Sequence, residues 1–282
     1  LQASAPATGH GRAASAPARP HARGGWRPFC KRRGDAREMH YDRSNENLDY
    51  SRAVISKDDG DILLVGVAGD YEILDGSWRW TRRHAVLRLN QEMVLEQQYT
   101  YDIGHYTNEF VHASLALPDG TFLLIGAADD ELAVSRYLAT GAKDSTFGTD
   151  GVVKLAVQTD ADTGFRATLA ADGKILITGY SDNSENNDLT VIRLNYDGSV
   201  DDTLGTNGSV SFDISGGDYG YGIASLADGK ILVGGRAGDD IALVRLLGDS
   251  DYINNSPPTL AAIGNQTAER DSGVHDVSLT GI

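Results

Sequence analysis

Cysteine is almost missing from this 282-residue chain, Cys30 being the only one. No intrachain disulfide can form, and no cysteine-based metal site can be assembled. Long hydrophobic runs are missing too. No stretch of about 18 consecutive apolar residues occurs, which excludes a transmembrane helix, and no continuous apolar segment near the N-terminus reads as a secretory leader. The chain begins with Leu1 rather than Met, so a fragment of a longer protein is expected. A long apolar stripe at helical spacing is also absent outside the N-terminal arm. Positive charge is scarce. The formal charge is −15, yet residues 1–43 hold nine Lys+Arg against three Asp+Glu, which leaves 16 basic and 37 acidic residues downstream, a balance of −21. A folded region this acidic repels nucleic acid and anionic membrane, so neither is expected as a partner. No zinc-binding His pair on a helix, no Gly-x-Ser-x-Gly elbow and no phosphate loop is present, so no catalytic residue, metal ligand or cofactor is assigned.

What is present is a repeat. Four segments align: "KDDGDILLVG" ending at Gly66, "LPDGTFLLIG" at Gly126, "AADGKILITG" at Gly179 and "LADGKILVGG" at Gly235. Their Asp-Gly pairs are spaced by 60, 53 and 56 residues. A second line follows each copy, "HAVLRLN", "LAVSRYL", "LTVIRLN" and "IALVRLL", carrying Arg88, Arg136, Arg193 and Arg245. A third appears twice in full, as "DSTFGTDGVV" and "DDTLGTNGSV". Asp-Gly between two strand-like runs signals a hairpin, because Gly accepts the positive φ such turns need. The Arg-bearing run supplies a third strand and the segment after the "FGT" turn a fourth, so each unit is expected to be a four-stranded antiparallel meander. The second strand ("ILLVG", "FLLIG", "ILITG", "ILVGG") is apolar on both faces and needs neighbours above and below. Units of 50–60 residues with four strands fit propeller blades. The expected fold is all-β, a propeller-like array of four antiparallel blades over residues 44–252, either a closed four-bladed ring or an open partial one. The fourth copy stops after its third strand, at Leu247, which makes the open arc a serious alternative.

The pattern "ADGKILITGYSDNSENNDLTVIRLNYDGSVDDTLGTNGSV" resembles the delta-60 repeat, a β-propeller-type repeat of bacterial secreted and surface proteins. The resemblance covers about residues 50–247 and implies a non-enzymatic role at the cell surface or outside the cell, in binding and adhesion or as a spacer. It brings no catalytic residues. The competing class is a propeller hydrolase or lyase with carboxylates at one rim.

Two flanks stand apart. Residues 1–43 are rich in Ala, Pro, Arg and Gly without apolar periodicity, a composition expected to stay disordered and to be non-native. Residues 253–282 start with the Pro257-Pro258 linker and hold two candidate strands, around Thr259–Ile263 and Val274–Thr280. They resemble the opening of an immunoglobulin- or cadherin-like module, of which about 25 residues is only the beginning.

Residues that recur in every copy are expected to be structural: Asp119, Asp172 and Asp228 hold turns, and the four repeat arginines pair with nearby acids. Function is sought where one copy departs. From the turn Gly to the repeat Arg is 28 residues in the first copy, against 16, 20 and 16 later. The extra segment, residues 68–83, reads as a loop carrying Trp78 and Trp80 with Arg82 and Arg83. Trp faces stack on sugar rings or cations, and Arg adds bidentate anion recognition. These four are the expected ligand contacts, for a glycan or a protein surface. The structural alternative is that the tryptophans cover a blade edge and extend the strand. "SDNSENND" (181–188) is oxygen-rich but lacks the spacing of a helix-loop-helix calcium site, and a plain loop is the expectation. His84, His105 and His112 fall in the first two units without an accompanying motif.

Overall fold

The computed structural model describes residues 27–33, 36–42, 50–74, 77–104 and 109–247, and the candidate immunoglobulin-like tail lies outside them. Every regular element among these residues is a strand. A separate two-stranded sheet pairs β1 (Arg27–Arg33) with β2 (Ala36–Asp42). These strands fall within the arm expected to be disordered, residues 1–43, of which residues 1–26 lie outside those described. The two runs are separated by only Gly34 and Asp35, a Gly-x spacing that suits a two-residue hairpin connection.

Four antiparallel sheets follow, each a meander in chain order. The first holds β3 (Tyr50–Ser56), β4 (Ile62–Leu74), β5 (Ser77–Leu89) and β6 (Leu95–Tyr101). The second holds β7 (Phe110–Ala116), β8 (Phe122–Ala128), β9 (Glu131–Tyr137) and β10 (Val152–Leu155). The third holds β11 (Asp162–Leu169), β12 (Ile175–Asp182), β13 (Asn187–Leu194) and β14 (Ser209–Phe212). The fourth has three strands, β15 (Asp218–Ser225), β16 (Ile231–Ala237) and β17 (Asp240–Leu246). This is the four-blade array read from the repeat, with no outer strand in the last blade among the described residues.

One turn design joins the first two strands of every blade. At Leu117–Thr121 the Gly120 amide donates to the Leu117 carbonyl and the Leu117 amide to the Thr121 carbonyl, while Gly120 sits at φ 82°. That is a three-residue loop, a type I turn followed by a glycine in the left-handed region. Asp119 Oδ1 accepts the Thr121 amide at 2.9 Å, and Asp59, Asp172 and Asp228 do the same in their blades. The turn aspartates are structural, as the recurrence implied.

Sheets stack face to face. Leu63, Val65 and Val67 of blade 1 meet Phe122, Leu124 and Tyr137 of blade 2. Leu123 and Ile125, on the other side of β8, meet Ile175, Ile177 and Ile192 of blade 3. Leu176, Leu189 and Val191 then meet Ile231, Val233 and Val244 of blade 4. Every residue of β8 is therefore buried, whereas β16 alternates. The outward face of blade 4 leaves Ile241 96% and Leu243 55% exposed, so the array is open at that end.

Packing between sheets concentrates on their first strands: β3 lies against β7, β7 against β11 and β11 against β15. These four strands form the inner rail of the arc, from which the blades fan out.

Candidate functional site

The inner rail carries one irregularity, repeated in all four blades. The register between first and second strands slips between Ser51 and Ala53, Val111 and Ala113, Gly164 and Arg166, and Gly220 and Gly222. One extra residue sits at each slip: Arg52, His112, Phe165 and Tyr221. A bulge re-aims the side chain it inserts. Its cause lies on the facing strand, in the glycine that closes each apolar run. A Cβ on Gly126 would fall 1.7 Å from the Phe110 carbonyl oxygen, and those on Gly66, Gly179 and Gly235 about as close to Tyr50, Thr163 and Tyr219. Only glycine lets the bulged backbone approach so closely.

The bulge residues meet across blade boundaries. His112 packs edge-on to Phe165 at a centroid distance of 5.0 Å, and Phe165 stacks on Tyr221 at 5.5 Å. Phe110 stacks on His112, Tyr219 lies parallel to Tyr221, and Tyr180 bridges Phe165 and Tyr219. Tyr180 pairs with Thr163, the one non-aromatic residue two positions before a bulge, and so fills the gap from the neighbouring strand. The result is a row of rings spanning three blades. Most of them are half-buried and Tyr221 is 50% exposed.

Arginines flank the row. Arg52 lies over Tyr50 at 4.8 Å, Arg82 over Phe110 at 4.6 Å and Arg236 over Tyr219 at 4.8 Å. None of the three has a carboxylate partner among the described residues. Other arginines differ. Arg136 pairs with Asp144 at 2.7 Å and also donates to the Tyr196 carbonyl of the next blade, Arg193 pairs with Asp201 at 2.6 Å, and Arg88 with Asp61. Burial alone would raise Asp201, but hydrogen bonds from Lys174 and Thr203 and the charge of Arg193 hold it down to about 2. Three of the four repeat arginines are thus structural, as expected. The fourth, Arg245, is exposed and has no acid partner among the described residues; the aspartate that stands eight positions after Arg136 and Arg193 has no counterpart in its copy.

The four residues expected to contact a ligand divide. Residues 68–83 are not a loop: β4 and β5 are 13 residues long and run as a hairpin beyond the other blades, with Trp80 opposite Tyr71 and Trp78 opposite Ile73. The physical reason is a second Asp-Gly pair, Asp75-Gly76, between runs of strand-forming residues. Trp78 and Trp80 therefore extend a strand, and their side chains lie outside the described residues. Arg82 joins the aromatic row. Arg83 turns elsewhere and pairs with Asp102 at 2.6 Å.

A small polar cluster is buried between blades 1 and 2. His84 is fully buried, its Nδ1 3.0 Å from both the Ser135 hydroxyl and the Tyr137 hydroxyl. Burial lowers it to about 3, so it stays neutral. Three residues before the bulges of blades 2, 3 and 4 stands an acid that receives backbone amides. Glu109 Oε1 accepts from Ile103 and Gly104, Asp162 from Val157, and Asp218 from Ile214 and Ser215. These acids tie the incoming segment to the inner strand. Sequence reasoning missed them, although Asp49, Glu109, Asp162 and Asp218 each precede the turn glycine by 11 residues.

The other candidates do not assemble. His105 lies outside the described residues. In residues 181–188 Asn183 donates to Asn186 and Asp188, closing the loop on itself. A cleft of about 860 Å³ at the outer edge of blade 2 holds carboxylates and lysines, but Lys143 pairs with Asp150 there, and Lys154 with Asp129 and Glu131.

A family model described as "Domain of unknown function (DUF5122) beta-propeller" matches residues 170–204 and 226–251. No curated protein sequence matches the chain. Among solved structures, the mannose phosphorylase MPT-4 from Leishmania mexicana, in complex with phosphate ion, is similar at 11% identity and a TM-score of 0.33. That alignment covers 69% of this chain and 66% of the phosphorylase, a likeness too loose to bear on function. Over its third and fourth blades, then, the chain is similar to a propeller-type repeat family.

Proposed function

We propose that this is a non-enzymatic binding domain of an extracellular or cell-surface protein, and that it binds through the arginine-flanked aromatic row on its inner strands. The observation that carries this reading is the set of three arginines that lie on aromatic faces without a carboxylate partner among the described residues, in a region whose other arginines mostly have one. Aromatic rings supply apolar area at little entropic cost, and an arginine held over a ring keeps its donors free for a ligand. The likeness of the third copy to the delta-60 repeat supports a bacterial surface setting, as does the resemblance of residues 253–282 to the opening of an immunoglobulin- or cadherin-like module.

An array of glycans and extracellular proteins tests this. The wild-type chain is expected to bind a subset of the array, and the double variant Arg52→Ala plus Tyr221→Ala to lose it while remaining folded. Both residues are exposed, so the fold should survive. Equal binding by that variant, or no binding by the wild type, would overturn the reading in favour of a spacer. The variant Trp78→Ala plus Trp80→Ala on the same array reports whether the β4–β5 extension contributes.

A further inference from the structure

We propose that the ligand of the aromatic row is an anionic polysaccharide carrying uronate carboxylates. This rests on the reading of the row as a contact surface.

The argument starts from charge. Downstream of residue 43 the chain carries a balance of −21, so any polyanion approaching at random is repelled. Against that background, Arg52 and Arg82 stand at the blade 1 end of the row and Arg236 at the blade 4 end, each over a ring and none with a carboxylate partner among the described residues. Planar guanidinium groups bind carboxylates bidentately. Cations placed at both ends of one apolar strip suit a ligand with charge at intervals along its length, rather than a single anion.

Between the cations the strip is aromatic and repetitive. His112, Phe165 and Tyr221 follow one another at 5.0 and 5.5 Å, one per blade, because each stands on the same bulge of the same repeat. A periodic row of rings matches a periodic ligand whose units present C–H faces, as pyranose rings do. Ring hydroxyls also find partners here: the Tyr219 hydroxyl already accepts from Asn187 at 2.5 Å, and Tyr221, half exposed, has no hydroxyl partner among the described residues. An acidic peptide would satisfy the arginines equally well, but would leave the repeating rings without a matching apolar repeat.

Binding of the full chain to oligogalacturonate is measured beside a neutral glucan of equal length and poly-glutamate. The chain is expected to bind oligogalacturonate, more weakly as salt rises, and neither of the others. Arg52→Gln and Arg236→Gln should each weaken it about tenfold, the order expected for losing a charged hydrogen bond. Arg245→Gln, an exposed arginine outside the row, should leave it unchanged. Neutral glucan bound equally well, with affinity dependent on Tyr221 and not on the arginines, would overturn the anionic class while keeping the row as the contact surface. Equal binding of poly-glutamate, equal weakening by Arg245→Gln, or no binding of oligogalacturonate would also sink it.

Discussion

At position 109 the repeat carries a glutamate where its counterparts, Asp162 and Asp218, are aspartates. The longer side chain still receives two backbone amides on Oε1, but Oε2 is buried without a partner. Burial is the largest influence on this carboxyl. It outweighs the two amide hydrogen bonds and raises the group from the ordinary 4.5 to about 8. The folded protein therefore holds a proton that the unfolded chain releases above pH 4.5. Stability from this group is fully present below that pH and is lost progressively as pH rises to about 8. Glu109→Gln keeps the accepting oxygen and cannot ionise. Urea unfolding should show the variant gaining on the wild type as pH moves from 5 to 9. Asp162, also raised by burial, tilts both proteins alike and cancels from the difference. Parallel pH curves for the two proteins would mean that Glu109 is ionised at little cost.

Among the elements, β17 shows what an unfinished repeat leaves behind. Val244 and Leu246 are buried against blade 3 and Ala242 is buried too, while Ile241, Leu243 and Arg245 face outward. An exposed apolar face beside an unpaired strand edge promotes association. Ile241→Glu plus Leu243→Glu should reduce concentration-dependent association in sedimentation, with unfolding free energy changed by no more than about 0.5 kcal/mol. Strong destabilisation would instead mean that this face is covered in solution. The strand count was legible because its signals are local: Asp-Gly turns, apolar runs and a period. The aromatic row was not. A bulge depends on which residue faces it, and simple alternation along β7 or β11 misassigns the inserted His112 and Phe165. The signal lay in pairs, such as Gly126 against Phe110. The β4–β5 extension, the structural alternative for residues 68–83, has its sequence signal in Asp75-Gly76 with the strand formers on either side.

For the whole molecule, stability should follow position in the array. Blades 2 and 3 are covered on both faces, so opening either one breaks two interfaces. Blade 4 is covered on one face only, and opening it breaks one. In a quasi-one-dimensional stack, stability is approximately a sum of unit and nearest-neighbour terms. Backbone amides of β8 and β12 should then exchange with solvent by about tenfold or more less readily than those of β16 and β17, since local opening spans a range from near zero up to the global free energy. The inner rail resists such independence, because Phe165 and Tyr221 pack across the boundary between blades 3 and 4. Tyr221→Ala removes that link. It should widen the exchange gap between β12 and β16 while leaving exchange in β8 unchanged. Uniform protection across all four blades would show instead that the array opens as a single cooperative unit, with the aromatic row as the tie that makes it one.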